Sequence, residues 1–412
     1  MTEAFLERRR EAVAAAWDLD GGAVLVAAGE EIPVPGRGDR TYPFRAHSEY
    51  LYLTDRERPG CMLAYAPAEG WAEFVAPVTA EELLWTGLEG DRQGVPEGTR
   101  PLDELEAWIG SRALRRLGAT AEADAELRDA LIQVRRPKDE VELERMRTAA
   151  EATRAGFEEL VPLIAPGRTE RELQVTLDAG FLRNGGDFLA FETILAAGDH
   201  AAVLHFAPTA RELRDGDLLL VDAGAEYRGY ASDVTRTYAV SGTFSAEQAL
   251  VHDTVRRAGE TAIAACRPGV DWHDVHLAAA LVVAEGLVEL GVLRGSPETL
   301  VESGAATLFF PHGVGHLVGL GVRDTGPASN EAPEPVPGLP RLRLDIPLRP
   351  RQAWTVEPGI YVVPALLARE RGHEGVDWDR VDGLQGFGGV RLEQNVLITD
   401  DGCEVLTAAI PL

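Results

Sequence analysis

The spacing of apolar residues predicts alternating short strands and helices in the first third of the chain. Short apolar runs at 23–27 and 61–65 alternate with helical patterns such as 102–117, which favours an α/β domain over residues 1–133. The aromatic-rich segment 42–54 predicts a pair of strands at the edge of a pocket or an interface.

A helix start at Pro137 marks the beginning of a second domain, over residues 134–412. Asp139 and Glu140 follow it, and acidic residues in a first turn are favoured by the helix dipole. One buried stripe at spacings of three or four consists of Leu143, Met146, Ala150, Thr153, Phe157 and Leu160. Further helices are predicted from Thr169, which opens a capping box, and over 245–265 and 273–291.

The segment 217–238 predicts a β-hairpin that carries two acids. An apolar run leads into Asp222, a β-branched run leaves Asp233, and Gly229 is available for the turn. A turn centred on residues 227 and 228 would place the two carboxylates directly opposite each other. Side by side they repel, unless cations or protons lie between them. The alternative is a surface hairpin with two solvated acids.

Composition excludes several classes of function. The formal charge of −27 argues against nucleic acid and against an anionic membrane surface as partners. Three scattered cysteines suggest neither a disulfide framework nor a zinc knuckle and fit a reducing cytoplasm. Lys138 is the only lysine, and its position beside a helix start does not suit a Schiff base or a Walker A loop. No apolar run is long enough to span a membrane.

Three other segments supply residue types that bind metals. His312 and His316 lie four residues apart in a glycine-rich segment that lacks the glutamate of zincins. Glu357 ends an apolar strand before Pro-Gly, and Arg391 and Glu393 share a face of another strand. Each segment could instead be an ordinary turn, strand end or solvated face. Two Asp, two Glu and one His suit a pair of hard or borderline divalent ions, such as Mn²⁺, Co²⁺ or Zn²⁺.

Asp222, Asp233, His316, Glu357 and Glu393, in this order and with these local sequences, resemble the ligands of the pita-bread metallopeptidases. The resemblance spans 138–412, and the segment at 44–54 is similar to the N-terminal domain of the proline-specific branch, which contains prolidase and aminopeptidase P. It implies a smaller N-terminal α/β domain and a C-terminal domain in which helices flank a curved antiparallel sheet.

The resemblance also implies roles for individual residues. Asp222 would chelate one metal, Asp233 and Glu393 would bridge two, and His316 and Glu357 would complete the other site. A water or hydroxide between the metals would be the nucleophile, with Glu357 as proton shuttle. The catalytic set would further include two residues that contact the substrate, His205 and His312. Tyr361 and Arg391 match residues beside the same site and are expected among the substrate-binding residues.

Two arginines point to a particular branch. Arg343 lies fourteen residues before Glu357 and resembles the prolidase arginine that binds the free carboxylate of a dipeptide. Arg323 stands where the family usually has histidine, and it would add a second clamp on that carboxylate. We therefore expect a prolidase, a dipeptidase that cleaves Xaa-Pro.

The alternatives are an aminopeptidase P that acts on longer peptides and a metal-free relative that binds peptides without catalysis. The expected cofactor is a pair of divalent ions, most simply Mn²⁺. The expected partners are a small peptide and a second copy of the chain, and neither a nucleic acid nor a membrane. The expected compartment is the cytoplasm.

Overall fold

The computed structural model describes residues 2–38, 40–86 and 98–412. The chain divides into two compact units, Met1–Arg135 and Arg136–Leu412. The domain boundary expected from the sequence lies two residues before this division.

The first unit contains a mixed five-stranded sheet with helices. In the sheet order β4-β3-β2-β1-β5, the outer pairs β1–β5 and β3–β4 are parallel and the inner pairs are antiparallel. Its elements are α1 (Thr2–Trp17), β1 (Ala23–Ala27), α2 (Ser48–Thr54), β2 (Met62–Ala66), β3 (Gly70–Val75), α3 (Ala80–Thr86), β4 (Arg100–Pro101), α4 (Leu105–Ile109), β5 (Leu114–Gly118) and α5 (Ala125–Arg135).

Two secondary-structure predictions in this unit are wrong. The segment 42–54 contains helix α2 rather than two strands. The His47 ring accepts a hydrogen bond from the Glu49 N–H at the start of this helix. The apolar side chains of the helix are all buried. The helix predicted over 102–117 ends at Ile109, because Gly110 takes a φ of 57°. The remainder becomes strand β5, which pairs with β1. Tertiary pairing overrides local propensity in both segments.

The second unit combines helices with short antiparallel ladders, the mixed architecture expected for a pita-bread domain. Its β ladders, within the part of the chain that the structure describes, are β10-β9-β6, β11-β8-β7, β12-β15-β16 and β13-β14. The elements are α6 (Glu140–Leu160), α7 (Glu170–Arg183), β6 (Phe188–Leu189), β7 (Ile194–Ala197), β8 (Leu218–Ala223), β9 (Ala225–Tyr227), β10 (Tyr230–Ala231), β11 (Val234–Ala239), α8 (Ala246–Ala265), α9 (Trp272–Glu289), α10 (Pro297–Glu302), β12 (Ala353–Val356), β13 (Gly359–Tyr361), α11 (Pro364–Arg369), α12 (Trp378–Asp382), β14 (Gly389–Arg391), β15 (Gln394–Ile398) and β16 (Cys403–Val405).

The four long helices confirm the predictions made from sequence. Helix α6 begins at a capping box of Asp139 and Glu142 and buries the predicted stripe, and α7 begins at a capping box of Thr169 and Glu172. Helices α8 and α9 share one apolar core with residues of the β12-β15-β16 and β13-β14 ladders. Trp272 of α9 and Trp354 of β12 stack there with ring centroids 4.2 Å apart. Among the described residues, no helix is long and apolar enough to cross a membrane.

The predicted hairpin is present, but the partner of Asp222 is shifted by two residues along the second strand. Asp222 pairs with Thr235 rather than with Asp233. The cause lies in the turn, where Arg228 and Gly229 both take positive φ, 51° and 82°. This conformation is typical of a two-residue type I′ turn, so the centre of symmetry lies between these two residues. Because side chains alternate along a strand, Asp233 still shares a face with Thr235 and Asp222.

The only lysine of the chain forms a buried ion pair. Lys138 Nζ lies 2.6 Å from Asp324 Oδ2, and the two side chains are 0% and 1% exposed. Nζ also donates a hydrogen bond to the Arg136 carbonyl oxygen. Gly319 fits against this lysine because it lacks a side chain, since a Cβ there would lie 2.6 Å from Lys138 Cε. The pair therefore joins the start of α6 to the loop that carries Arg323.

Candidate metal centre

One cavity of about 880 Å³ in the second unit brings together ten of the eleven residues predicted from the sequence. Tyr361 does not line it but lies directly behind His312, at 2.9 Å from that ring. The ten are Asp222, Asp233, His316, Glu357, Glu393, His205, His312, Arg323, Arg343 and Arg391. Residues from six separate segments of sequence therefore converge on one pocket.

Asp222 lies near the end of β8 with one oxygen held and one free. Its Oδ2 accepts a hydrogen bond from the Arg391 guanidinium, whereas Oδ1 is buried without a hydrogen-bond partner among the described residues. Burial raises the pKa of Asp222 to about 6; the charge of Asp233 adds to the rise, and Arg391 opposes it. A buried carboxylate oxygen without a donor is costly in free energy unless it binds a cation or a proton.

Asp233, His316 and Glu393 form a compact group, because ligand atoms of all three lie within 4.8 Å of one another. The His316 Nδ1–H donates to the Leu317 carbonyl oxygen at 3.0 Å, which leaves Nε2 as the acceptor. Nε2 lies 3.4 Å from Asp233 Oδ2 and 3.9 Å from Glu357 Oε1. This tautomer is the one that a metal-binding imidazole requires, with its other nitrogen held by the backbone.

The two glutamates complete a set of four carboxylates. Glu357 follows strand β12, and burial raises its pKa to about 7, although His316 lowers it. Glu393 lies between β14 and β15 and is 2% exposed. Burial, together with the nearby charge of Asp233, raises the pKa of Glu393 well above its ordinary value.

Four carboxylates crowd into one largely buried volume, and among the described arginines that line the pocket, Arg391 is the buried one. The raised pKa values of Asp222, Glu357 and Glu393 express this mutual repulsion and loss of solvation. Divalent cations would relieve both costs, and the free oxygen of Asp222 supplies an open ligand position. The residues present therefore fit a divalent metal site.

A chain of hydrogen bonds supports one side of the site. Arg391 donates to the Thr235 hydroxyl at 3.0 Å and to the Tyr361 hydroxyl oxygen at 2.9 Å. The His312 Nδ1–H donates to the Gly313 carbonyl oxygen, so Nε2 accepts the hydrogen bond from the Tyr361 hydroxyl. Burial lowers the pKa of His312 to about 3, so this ring is neutral at physiological pH.

His205, Arg323 and Arg343 lie on the exposed part of the pocket wall. None of their side chains makes a hydrogen bond or ion pair with the residues that the structure describes. Partial burial lowers the pKa of His205, and the positive charges of Arg323, Arg391 and Arg343 lower it further. This wall is therefore cationic, whereas the metal-type residues are acidic.

Sequence reasoning missed three residues that hold the ligands in place. The Thr235 hydroxyl donates to Glu393 Oε2 at 2.8 Å, and the Asn395 amide bonds both the N–H and the carbonyl oxygen of Asp233. The Thr355 hydroxyl accepts the His316 N–H at 3.0 Å.

These three residues share a spacing that the sequence displays. Thr235 follows Asp233 by two residues, Asn395 follows Glu393 by two, and Thr355 precedes Glu357 by two. Positions two apart on a strand lie on the same face. A search for polar residues two positions from each proposed ligand would have found all three.

Comparisons with known proteins are consistent along almost the whole chain. Residues 144–400 match the model of metallopeptidase family M24, and residues 5–101 match the aminopeptidase P N-terminal domain. A probable Xaa-Pro aminopeptidase of Botryotinia fuckeliana is 32% identical, with 90% of this chain and 86% of the relative covered. Xaa-Pro aminopeptidase 1 of Streptomyces coelicolor is 33% identical, with 93% and 82% covered.

Solved structures give the same result. The chain is similar to the aminopeptidase PepP of Pseudomonas aeruginosa, with a TM-score of 0.82, 29% identity and coverage of 99% of this chain and 95% of that one. It is equally similar to aminopeptidase P of E. coli in complex with the inhibitor Pro-Leu, with a TM-score of 0.82, 27% identity and coverage of 98% and 95%.

The prediction of a dipeptidase is wrong. Relatives that cover most of the chain are Xaa-Pro aminopeptidases, and the N-terminal match is to the aminopeptidase P domain. The expectation rested on Arg343, which we expected to bind the free carboxylate of a dipeptide and so to close the pocket one residue beyond the scissile bond. Arg343 and Arg323 are exposed side chains on the pocket wall.

Proposed function

Because the chain belongs to metallopeptidase family M24, we propose that it is an Xaa-Pro aminopeptidase, which removes the first residue from peptides with proline in second position. The observation that carries this proposal is the buried set of four carboxylates and one imidazole at one pocket. The names of relatives along the whole chain support the proline specificity.

We propose that two divalent ions are held by Asp222, Asp233, His316, Glu357 and Glu393. When bound, such ions polarise a carbonyl group and make water more acidic. Mn²⁺ suits this oxygen-rich donor set with one imidazole, and Co²⁺ or Zn²⁺ are the alternatives. Asp233 and Glu393 are the bridging candidates by the family resemblance, and ligand atoms of both lie within 4.8 Å of each other and of His316.

Residues of the chain supply the remaining chemistry in this proposal. Glu357 has a pKa near neutrality, so it can accept a proton and pass it to the proline nitrogen that leaves. His205 has a lowered pKa and makes no side-chain hydrogen bond to the described residues, so the neutral ring can donate a hydrogen bond to the scissile carbonyl oxygen as negative charge develops. His312 has both ring nitrogens bonded, and it would contact the peptide through its ring while it holds Tyr361 in place.

The cationic wall is proposed as the binding surface for the peptide beyond the proline. Arg323 and Arg343 make no hydrogen bond or ion pair within the part of the chain that the structure describes, so a carbonyl oxygen or carboxylate of the substrate can accept their hydrogen bonds. Arg391 would act through Asp222 and Tyr361, which it fixes by hydrogen bonds.

Compartment and assembly are also proposals. Cys61, Cys266 and Cys403 are all free thiols in the structure, which supports a reducing cytoplasm. A homodimer is proposed from the family resemblance, and light scattering in solution tests it.

A direct assay tests the proposed activity. Metal-free protein, prepared with a chelator, is supplied with Mn²⁺ and given Ala-Pro-Gly, Ala-Ala-Gly or Ala-Pro. We expect release of alanine from Ala-Pro-Gly only after Mn²⁺ is added, and much slower turnover of the other two peptides. Turnover without metal, equal turnover of Ala-Ala-Gly, or a preference for Ala-Pro would contradict the proposal.

A further inference from the structure

A buried histidine outside the proposed ligand set contacts the loop that carries two site histidines. His276 lies in α9 and is 0% exposed. Its Nδ1 accepts a hydrogen bond from the Val314 N–H at 3.0 Å. Val314 lies midway between His312 and His316, so this bond fixes the backbone from which both imidazoles project.

Val314 is also held through its carbonyl oxygen. The carbonyl oxygen of Val314 accepts a hydrogen bond from the Glu357 N–H at 2.7 Å, and its side chain is fully buried. Close packing restricts the loop further, because a Cβ on Gly315 would lie 2.0 Å from the Thr355 carbonyl oxygen. Val314 therefore links α9, through His276, to the backbone of Glu357.

The chemistry of His276 suits a fixed acceptor. Nδ1 can accept only when the ring is neutral and its proton is on Nε2. Burial lowers the pKa of His276 to about 4, which keeps the ring neutral at physiological pH. The ring stacks on Phe310 with centroids 5.0 Å apart, and Phe310 meets the His312 ring edge-on at 5.1 Å. His276 thus contacts the site loop through a hydrogen bond and through an aromatic neighbour.

We propose that His276 is a positioning residue, which sets the place of His316 relative to Glu357 through its hydrogen bond to Val314. This inference rests on the proposed metal centre. It assigns to α9 a part in metal binding, although the helix contributes no ligand. Loss of the acceptor would leave the Val314 N–H buried without a partner, and the loop would move to satisfy it.

Two substitutions separate the hydrogen bond from the volume of the ring. His276→Phe keeps the stacking ring but removes the acceptor. His276→Asn loses the ring but keeps an acceptor, because its side-chain oxygen lies the same number of bonds from Cα as Nδ1. If His276 only fills space, His276→Asn should weaken metal binding more than His276→Phe. If His276 positions the loop through its hydrogen bond, His276→Phe should weaken metal binding more.

The affinity of the metal-free protein for Mn²⁺, measured by titration calorimetry, is the primary readout. Loss of a group that orients a metal ligand typically weakens metal binding about 10- to 100-fold, which we expect for His276→Phe. For His276→Asn we expect most of the wild-type affinity. The kcat for Ala-Pro-Gly at saturating Mn²⁺ should fall more in His276→Phe than in His276→Asn, with little change in KM in either variant.

The unfolding temperature of each metal-free variant controls for global damage, and all titrations are made well below the lowest of these temperatures. If the Phe variant does not fold, His276→Leu replaces it as the variant without an acceptor. Equal Mn²⁺ affinity of wild type and acceptor-free variant would overturn the inference, as would weaker binding by Asn than by Phe. Absence of Mn²⁺ binding by the wild type would instead refute the proposed metal centre.

Discussion

The metal-free protein should lose stability as the pH rises. Carboxylates that are ion-paired in a folded protein usually have lowered pKa values and stabilise it above pH 4. Glu357 is the opposite case, because burial raises its pKa from 4.5 to about 7. Between these two values the folded chain binds more protons than the unfolded chain. The contribution of Glu357 to stability is therefore complete below about pH 4.5 and is lost as the pH rises through 7.

The size of the effect follows from the pKa difference. A tenfold change in proton affinity is worth about 1.4 kcal/mol, so the change at Glu357 amounts to roughly 3 kcal/mol. Asp222, with a pKa raised to about 6, acts in the same direction. The two groups share one site and titrate together, so their effects do not simply add. Bound Mn²⁺ should restore stability, by about 2.7 kcal/mol at a hundred times its dissociation constant.

Chemical unfolding of chelator-treated protein at pH 5 and pH 8, followed by tryptophan fluorescence, measures this difference. The matched control is Glu357→Gln, which cannot ionise, and its loss of stability between the two pH values should be smaller by roughly 2 to 3 kcal/mol, since part of the effect is already lost at pH 5. Metal-free protein that is as stable at pH 8 as at pH 5, or a Gln variant with an unchanged pH dependence, would refute the reasoning.

Three further predictions follow from the same geometry. Asp233→Asn should lose nearly all turnover of Ala-Pro-Gly and bind less Mn²⁺ by elemental analysis, with a native circular dichroism spectrum; normal activity would remove the basis of the metal assignment. Lys138→Met should cost up to about 3–5 kcal/mol in denaturant unfolding, because the buried Asp324 carboxylate loses the ammonium group that lies 2.6 Å away, and Lys138→Met/Asp324→Leu should recover part of it; equal losses in both variants would contradict this. Arg323→Gln should raise KM for Ala-Pro-Gly about 10- to 150-fold with kcat unchanged, since a charged hydrogen bond to the substrate is worth about 1.5–3 kcal/mol; a change in kcat alone would exclude a binding role.

The four long helices of the second unit were predictable because their signals are local. The capping boxes at Asp139 and Thr169 each lie within four residues of sequence, and the apolar stripe of α6 repeats at helical spacing. Strand register depended on one turn. The hairpin could be predicted from Gly229, but its register required the left-handed conformation of Arg228, which a non-glycine residue rarely adopts.

Residues of the pocket were easier to predict than the shape of its opening. Acids and histidines at strand ends are visible in sequence, and all of them line the cavity. Whether Arg343 closes the pocket or lies exposed beside it depends on a loop over 333–350 that has no periodic pattern. The role of His276 could not be predicted from the sequence, because its contact with Val314, 38 residues along the chain, forms only when α9 packs against that loop.

The burial of Lys138 has a consequence for labelling chemistry. Amine-reactive esters acylate an exposed, uncharged amine, and the only lysine of this chain is enclosed and ion-paired. The ε-amino group of Lys138 is therefore protected from such reagents in the native protein. An acyl group on Lys138 would appear only when the start of α6 separates from Asp324. Its rate of appearance in intact-mass spectra would measure how often that part of the molecule opens.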